Sequence, residues 1–146
     1  RTEKTINGVE SFHGEDGLAP FLARTDILIC LLPLTPETEG IINARTLAQL
    51  PKGAYVINAG RGPQIDEPDL LAALDSGHIA GAALDVFCEE PLPDDSPMWE
   101  HPKVLVTPHI AILSSAKSAA RKIAENIRRI RRSETPEDLV DMVAGY

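Results

Sequence analysis

Arg61 sits between two glycines in Ala59-Gly-Arg-Gly-Pro63, and His109 directly follows a proline in Thr107-Pro-His109. A guanidinium is a planar fork that grips a carboxylate through two parallel hydrogen bonds. Flanking glycines let the chain turn sharply and a ligand come close. An imidazole titrates at roughly pH 6.5 when unperturbed, and a neighbouring carboxylate favours its protonated form. Glu89 and Glu90, in Asp85-Val-Phe-Cys-Glu-Glu-Pro91, are the natural escorts, and residue types alone do not choose between them. An anchored organic anion beside a proton donor suits the reduction of a keto acid. There, attack on the ketone builds negative charge on oxygen, which a positioned imidazolium stabilises and protonates. Taken singly, Arg61 reads as a surface ion pair and His109 as a solvated side chain; their company lifts them above that. His13, His78 and His101 follow no strand end in such company and read as structural.

These groups meet only if the elements before them share an edge. The apolar run Asp26–Leu32, ending at Pro33, suits a strand covered on both faces, as in a parallel sheet. Further strands are predicted over Val9–Phe12, Ala54–Asn58, Gly81–Val86 and Val104–Val106. Helices are predicted over Gly14–Arg24, over Asn43–Leu50 with Asn43 as N-cap, and from the Asp66 cap through Ser76 with Gly77 beyond. A long helix is predicted over Ser114–Arg132, with Ala116, Ala120, Ile123, Ala124, Ile127 and Ile130 at helical spacing. Alternating strands and helices predict an α/β fold: a Rossmann-like three-layer parallel sheet with helices on both faces. Ligands of such sheets bind beyond the carboxyl ends of the strands, and Pro33, Asn58–Gly62, Asp85–Pro91 and Thr107–His109 all follow such ends.

Composition narrows the function classes. The chain has 146 residues, 43% of them hydrophobic and 25% charged, which fits one folded domain. A formal charge of -8 opposes nucleic acid and anionic membrane, and no apolar run reaches a membrane span. The one basic run, Arg128, Arg129, Arg131 and Arg132, reads as a solvated helix C-terminus. Cys30 and Cys88 lie in no metal-spaced pair and read as reduced thiols of a cytoplasmic protein. No His or Cys spacing suits zinc, and no nucleophile elbow is present, so neither metal nor serine chemistry is expected.

Seven segments, in order, resemble the D-isomer-specific 2-hydroxyacid dehydrogenase family: Leu32–Thr38, Gly40–Asn43, Pro51–Gly62, Asp69–Leu74, Gly81–Phe87, Glu90–Pro93 and Thr107–Ala111. Within it, Glu90–Trp99 and the terminal Gly145-Tyr146 are most similar to the bacterial glyoxylate/hydroxypyruvate reductases. The resemblance implies NAD(P)H-dependent reduction of small 2-keto acids to 2-hydroxy acids. In it, Arg61 binds the substrate carboxylate, His109 is the acid/base, and Glu90, directly before Pro91, raises the pKa of His109. It also implies that Asp85 lies near the nicotinamide carboxamide, that the backbone of Leu32, Pro33, Asn58 and Ala59 lines the cofactor, and that Trp99 lies near the active site or a dimer contact.

Members of this family run to about twice this length and carry a substrate domain and a Gly-rich phosphate turn. The chain therefore reads as a C-terminal fragment, with residues 1–113 the end of the dinucleotide-binding domain. Residues 114–146 are expected to pack back on the missing substrate domain, leaving apolar surface uncovered here. Arg1 would fall where NADP-preferring relatives carry a basic residue for the 2′-phosphate, so NADP is expected over NAD. The full-length protein is expected to be a homodimer, and the fragment alone to bind dinucleotide weakly and turn over poorly. Two other readings stand beside this one: a non-catalytic dinucleotide-sensing interaction protein, and a formate dehydrogenase, in which the partner of the His is usually not a carboxylate.

Overall fold

The computed structural model describes residues 6–112 and 115–142. Four parallel strands, β1 (Ile27–Cys30), β2 (Ala54–Asn58), β3 (Ile79–Leu84) and β4 (Val104–Val106), lie in chain order across one sheet. The register pairs Leu28 with Val56, Val56 with Ala82, and Ala82 with Val104. Because side chains alternate along a strand, these residues share one face with Cys30, Asn58 and Leu84. That face is closed by Leu22 of α1 (Gly14–Leu22), Leu47 of α2 (Ala44–Leu47), and Leu70 and Leu74 of α3 (Glu67–Asp75), all essentially buried. The fold is α/β and Rossmann-like, and every strand end carrying a predicted site residue lies on the same edge.

The helix signals operate as expected. Asn43 accepts from Arg45 and Thr46 N–H, and Asp66 from Asp69 N–H, with Pro68 in the first turn of α3. Gly77, at φ 72, takes the left-handed conformation that ends it. The long helix α4 (Ala116–Arg131) is capped by Ser115, and none of its residues is buried. Ile123 and Ile130 are both 60% exposed. Its basic end forms surface ion pairs, Arg128 with Glu125 and Arg129 with Glu137.

Two expectations are corrected. No strand forms over Val9–Phe12. Asn7-Gly8, with Gly8 at φ 77, folds the chain into a tight turn whose only ladder contact is a bridge between Ile6 and Val9. Nor is β1 covered on both faces among the described residues. Ile27 and Ile29 are each 55% exposed and share an open apolar face with Tyr55 and Leu105. A strand built for burial on two sides reads as continuously apolar whether or not its second layer is present.

Candidate functional site

Three loops leaving β1, β2 and β3, and the segment after β4, build the site. The loop after β2 is held from within: Asn58 accepts from Gly60 N–H and donates to the Arg61 carbonyl. The side chain of Asn58 is thus spent on shaping the turn, and Ala59 N–H completes the ladder to Cys30. Arg61 is then carried outward, exposed, with Nη1 donating to the Gly60 carbonyl at 2.7 Å. Gly62 is buried where the short 3-10 helix η1 (Gly62–Gln64) meets the Phe87–Cys88 backbone. An added Cβ would lie 1.9 Å from Phe87 carbonyl atoms. The absence of a side chain at this residue is what lets the Arg61 loop and the Glu90 loop touch.

Beyond β3, Glu90 accepts from Phe87 N–H at 3.0 Å through Oε1 and meets His109 Nδ1 at 2.7 Å through Oε2. The hydrogen bond to His109 leads in holding the Glu90 carboxyl below the usual carboxylate range. Phe87 N–H follows, with smaller pulls from the charges of His109 and Arg61. Arg61, Glu90 and His109 therefore share one rim, with Glu90 an ionised carboxylate at neutral pH. Glu89 is exposed and has no hydrogen bond or ion pair among the described residues, so the geometry selects Glu90 as the escort.

Asp85 organises the residues around His109. Its carboxylate, buried at the end of β3, accepts from Thr107 Oγ1 at 2.5 Å and from Ile110 and Ala111 N–H, both at 2.9 Å. Burial is the largest single influence and pushes its pKa up. Thr107, Ala111, Ile110 and the His109 charge together outweigh it, and the net shift is downward. The Asp85 carbonyl also accepts from His109 N–H, which holds His109 at φ 53, a left-handed conformation uncommon for a residue with a side chain.

At the end of β1, the carbonyls of Leu32 and Pro33 are both taken, by Gln64 Nε2 at 2.7 and 3.1 Å. Thr38 Oγ1 also donates to Pro33 at 2.7 Å. What this segment offers outward is apolar surface, Leu31, Leu32 and Leu34. Trp99 is half exposed, its Nε1 donating to the Pro93 carbonyl. Arg1 lies outside the described residues. His78 and His101 are structural, bound to the Leu47 carbonyl and to Asp75. No group of three metal-ligating side chains converges among the described residues. Thr107, Gln64 and Phe87 N–H hold the site yet are not flagged by residue type, and only their partners in the fold reveal them.

The family described as "D-isomer specific 2-hydroxyacid dehydrogenase, NAD binding domain" matches residues 2–111. A glyoxylate/hydroxypyruvate reductase A of Photorhabdus laumondii is 51% identical over all 146 residues, which span 47% of its length. The chain thus spans about half of the curated relative it matches. A 2-hydroxyacid dehydrogenase structure from Xanthobacter autotrophicus, in complex with NADPH and MES, is 53% identical with a TM-score of 0.97, covering 100% of this chain and 60% of that one. An NADPH-dependent glyoxylate/hydroxypyruvate reductase from Sinorhizobium meliloti, with NADP and sulfate, is 44% identical with a TM-score of 0.95, covering 100% and 48%. With the family matched over most of the chain and the parallel sheet reproduced, the chain belongs to the D-isomer-specific 2-hydroxyacid dehydrogenase family, in its NAD-binding domain.

Proposed function

We propose that these residues supply the acid–base and anion-binding half of an NADP(H)-dependent reductase of glyoxylate and hydroxypyruvate. The observation that carries this reading is the 2.7 Å pair between His109 Nδ1 and Glu90 Oε2, on the rim that also carries Arg61. Glu90, ionised and fixed by Phe87 N–H, accepts from Nδ1–H, which leaves Nε2 of His109 to carry a proton toward a substrate oxygen. Arg61 grips the carboxylate of the keto acid and places its ketone before that proton. A bound nicotinamide supplies the hydride. Exposed Leu31, Leu32 and Leu34 suit the apolar face of the cofactor's rings, Asp85 stands near its carboxamide, and Leu32, Pro33, Asn58 and Ala59 form the backbone wall beside it. NADP is preferred over NAD, in keeping with the NADPH and NADP named in the two complexes described above.

In the whole protein, α4 packs against a substrate domain outside these residues, which covers Ile123, Ile127 and Ile130. The protein works in the cytoplasm as a homodimer, with Cys30 and Cys88 as free thiols. Loss of nicotinamide absorbance with glyoxylate, hydroxypyruvate and pyruvate, measured on the native-length protein, tests the activity. An absence of turnover with every small 2-keto acid refutes it.

A further inference from the structure

Gln64 carries no charge, yet it is completely buried beneath the site. Its amide is saturated: Oε1 accepts from Arg61 N–H at 2.8 Å and from the Cys30 thiol at 3.3 Å, while Nε2 donates to the Leu32 and Pro33 carbonyls. A side-chain amide has two donors and two acceptor lone pairs, and all four are used here. Burying an amide costs several kcal/mol unless its bonds are made, so a fully engaged one is a rigid joint. This joint ties the end of β1 to the main chain of Arg61. The joint also dictates its neighbour: a Cβ on Gly60 would stand 2.3 Å from Gln64 Oε1 and 3.1 Å from the Leu32 carbonyl.

The two ends of the joint differ in how much they depend on it. The Pro33 carbonyl has a second hold from Thr38, which also accepts from Thr35 N–H. Arg61 N–H has no other acceptor among the described hydrogen bonds. Loss of the amide therefore leaves Pro33 held by Thr38 but deprives Arg61 N–H of its acceptor, so the Arg61 main chain is held through the bonds to its carbonyl from Asn58 Nδ2 and Gln64 N–H.

We infer that Gln64 is a positioning residue for Arg61: its amide fixes the Arg61 main chain against the Leu32–Pro33 edge and so sets where the substrate-gripping guanidinium stands. This rests on the reading of Arg61 as the keto-acid anchor. In the native-length protein, Gln64→Met keeps the volume and removes the bonds. It should raise the glyoxylate KM about tenfold, since displacement of a positioning group by about 1 Å can cost up to about a hundredfold. The NADPH Kd, read from nicotinamide fluorescence, should rise less than the glyoxylate KM, because on the cofactor side Pro33 keeps its bond from Thr38. Gly60→Ala, which presses on the amide oxygen without removing it, should give the same split. Gln64→Glu keeps both acceptors but loses its donors unless protonated, so its deficit relative to wild type should shrink as pH falls.

An unchanged glyoxylate KM in Gln64→Met, with only a lower melting temperature, overturns the inference and leaves the reductase reading intact. If Gln64→Met does not fold, a Gln64→Glu deficit that is flat with pH overturns it equally. Wild-type protein with no keto-acid turnover removes both the reading and the inference.

Discussion

Gly62→Ala tests whether the packing of η1 on the Phe87–Cys88 backbone is what assembles the site. A Cβ at this residue would lie 1.9 Å from both the carbonyl carbon and oxygen of Phe87, and 2.4 Å from Cys88 N. All three are backbone atoms, so no side-chain rotation relieves the contact. Restoring an ordinary 3.4 Å separation requires the two segments to part by about 1.5 Å, from 3.4 minus 1.9. Overpacking a buried site costs roughly 1–3 kcal/mol, and a clash confined to backbone belongs at the top of that range. About 3 kcal/mol in a chain of this size lowers Tm by roughly 10 °C.

The same displacement moves Phe87 N–H, which fixes Glu90, away from the loop that carries Arg61. The rate should therefore fall more than stability alone requires, by about a hundredfold in kcat/KM measured where the variant is still folded. Thermal denaturation of the chain and keto-acid reduction by the native-length protein are the two assays. Gly81→Ala is the control, because there the added Cβ meets the movable edge of Tyr55 at 3.1 Å and its nearest backbone neighbour, the Lys103 carbonyl, at 3.3 Å, close to an ordinary contact. Its loss should stay at about 1 kcal/mol or less. A Gly62→Ala protein that melts like Gly81→Ala and keeps its rate would refute the reasoning.

Four further outcomes are expected. His109→Ala should cut kcat about a hundredfold or more with little change in NADPH binding, and Glu90→Gln should cut it less, both read by steady-state kinetics. Arg61→Lys keeps the charge but loses the fork, so the glyoxylate KM should rise about tenfold; an unchanged KM would argue against bidentate anchoring. Asp85 and Glu90 are both held below their ordinary pKa. The stability they contribute is therefore present above the unfolded-state values of about 3.9 and 4.3, and is lost as pH falls through the lower folded-state values. Asp85→Asn should flatten that acid limb in denaturation titrations below about pH 4 and slow turnover through the His109 loop. Partial burial, then the charges of Glu67 and Asp66, push the Cys88 thiol up to about 11. At pH 7.5 it should react with a disulfide reagent about 20-fold more slowly than an unperturbed thiol, after allowing for the greater nucleophilicity of a high-pKa thiolate.

The fold was largely legible because its signals are local. Asn43, Asp66 and Gly77 cap helices through their own chemistry, and β2 and β4 form over the predicted residues. The misses are tertiary or conformational. An apolar run does not record whether one or both of its faces is covered, so β1 gave no warning of the open side. Val9–Phe12 has the residue types of a strand, but the Asn7-Gly8 turn just before it leaves it without a neighbouring strand beyond the Ile6–Val9 bridge among the described residues. In the site, charged residues at strand ends are legible by type, whereas the holding roles of Gln64 and Thr107 are not, because a neutral polar residue signals function only through its partners.

That division has a physical basis. Groups that meet a ligand must carry charge or a proton and must be exposed, so their types advertise them. Groups that hold them must be buried, and a buried ion is far costlier than a buried amide or hydroxyl with its bonds made. Asp85 is the exception that shows the rule, a buried carboxylate tolerated because Thr107, Ile110 and Ala111 surround it with donors. Its reward is the left-handed His109, held by the Asp85 carbonyl accepting from His109 N–H and by the carboxylate bonding Thr107, Ile110 and Ala111 around it. The backbone of His109 is therefore set from within the sheet end, and its imidazole Nδ1 is held from the surface by Glu90. Substitutions at these two carboxylates should separate accordingly, Asp85 altering folding and geometry together and Glu90 altering the chemistry with the fold retained.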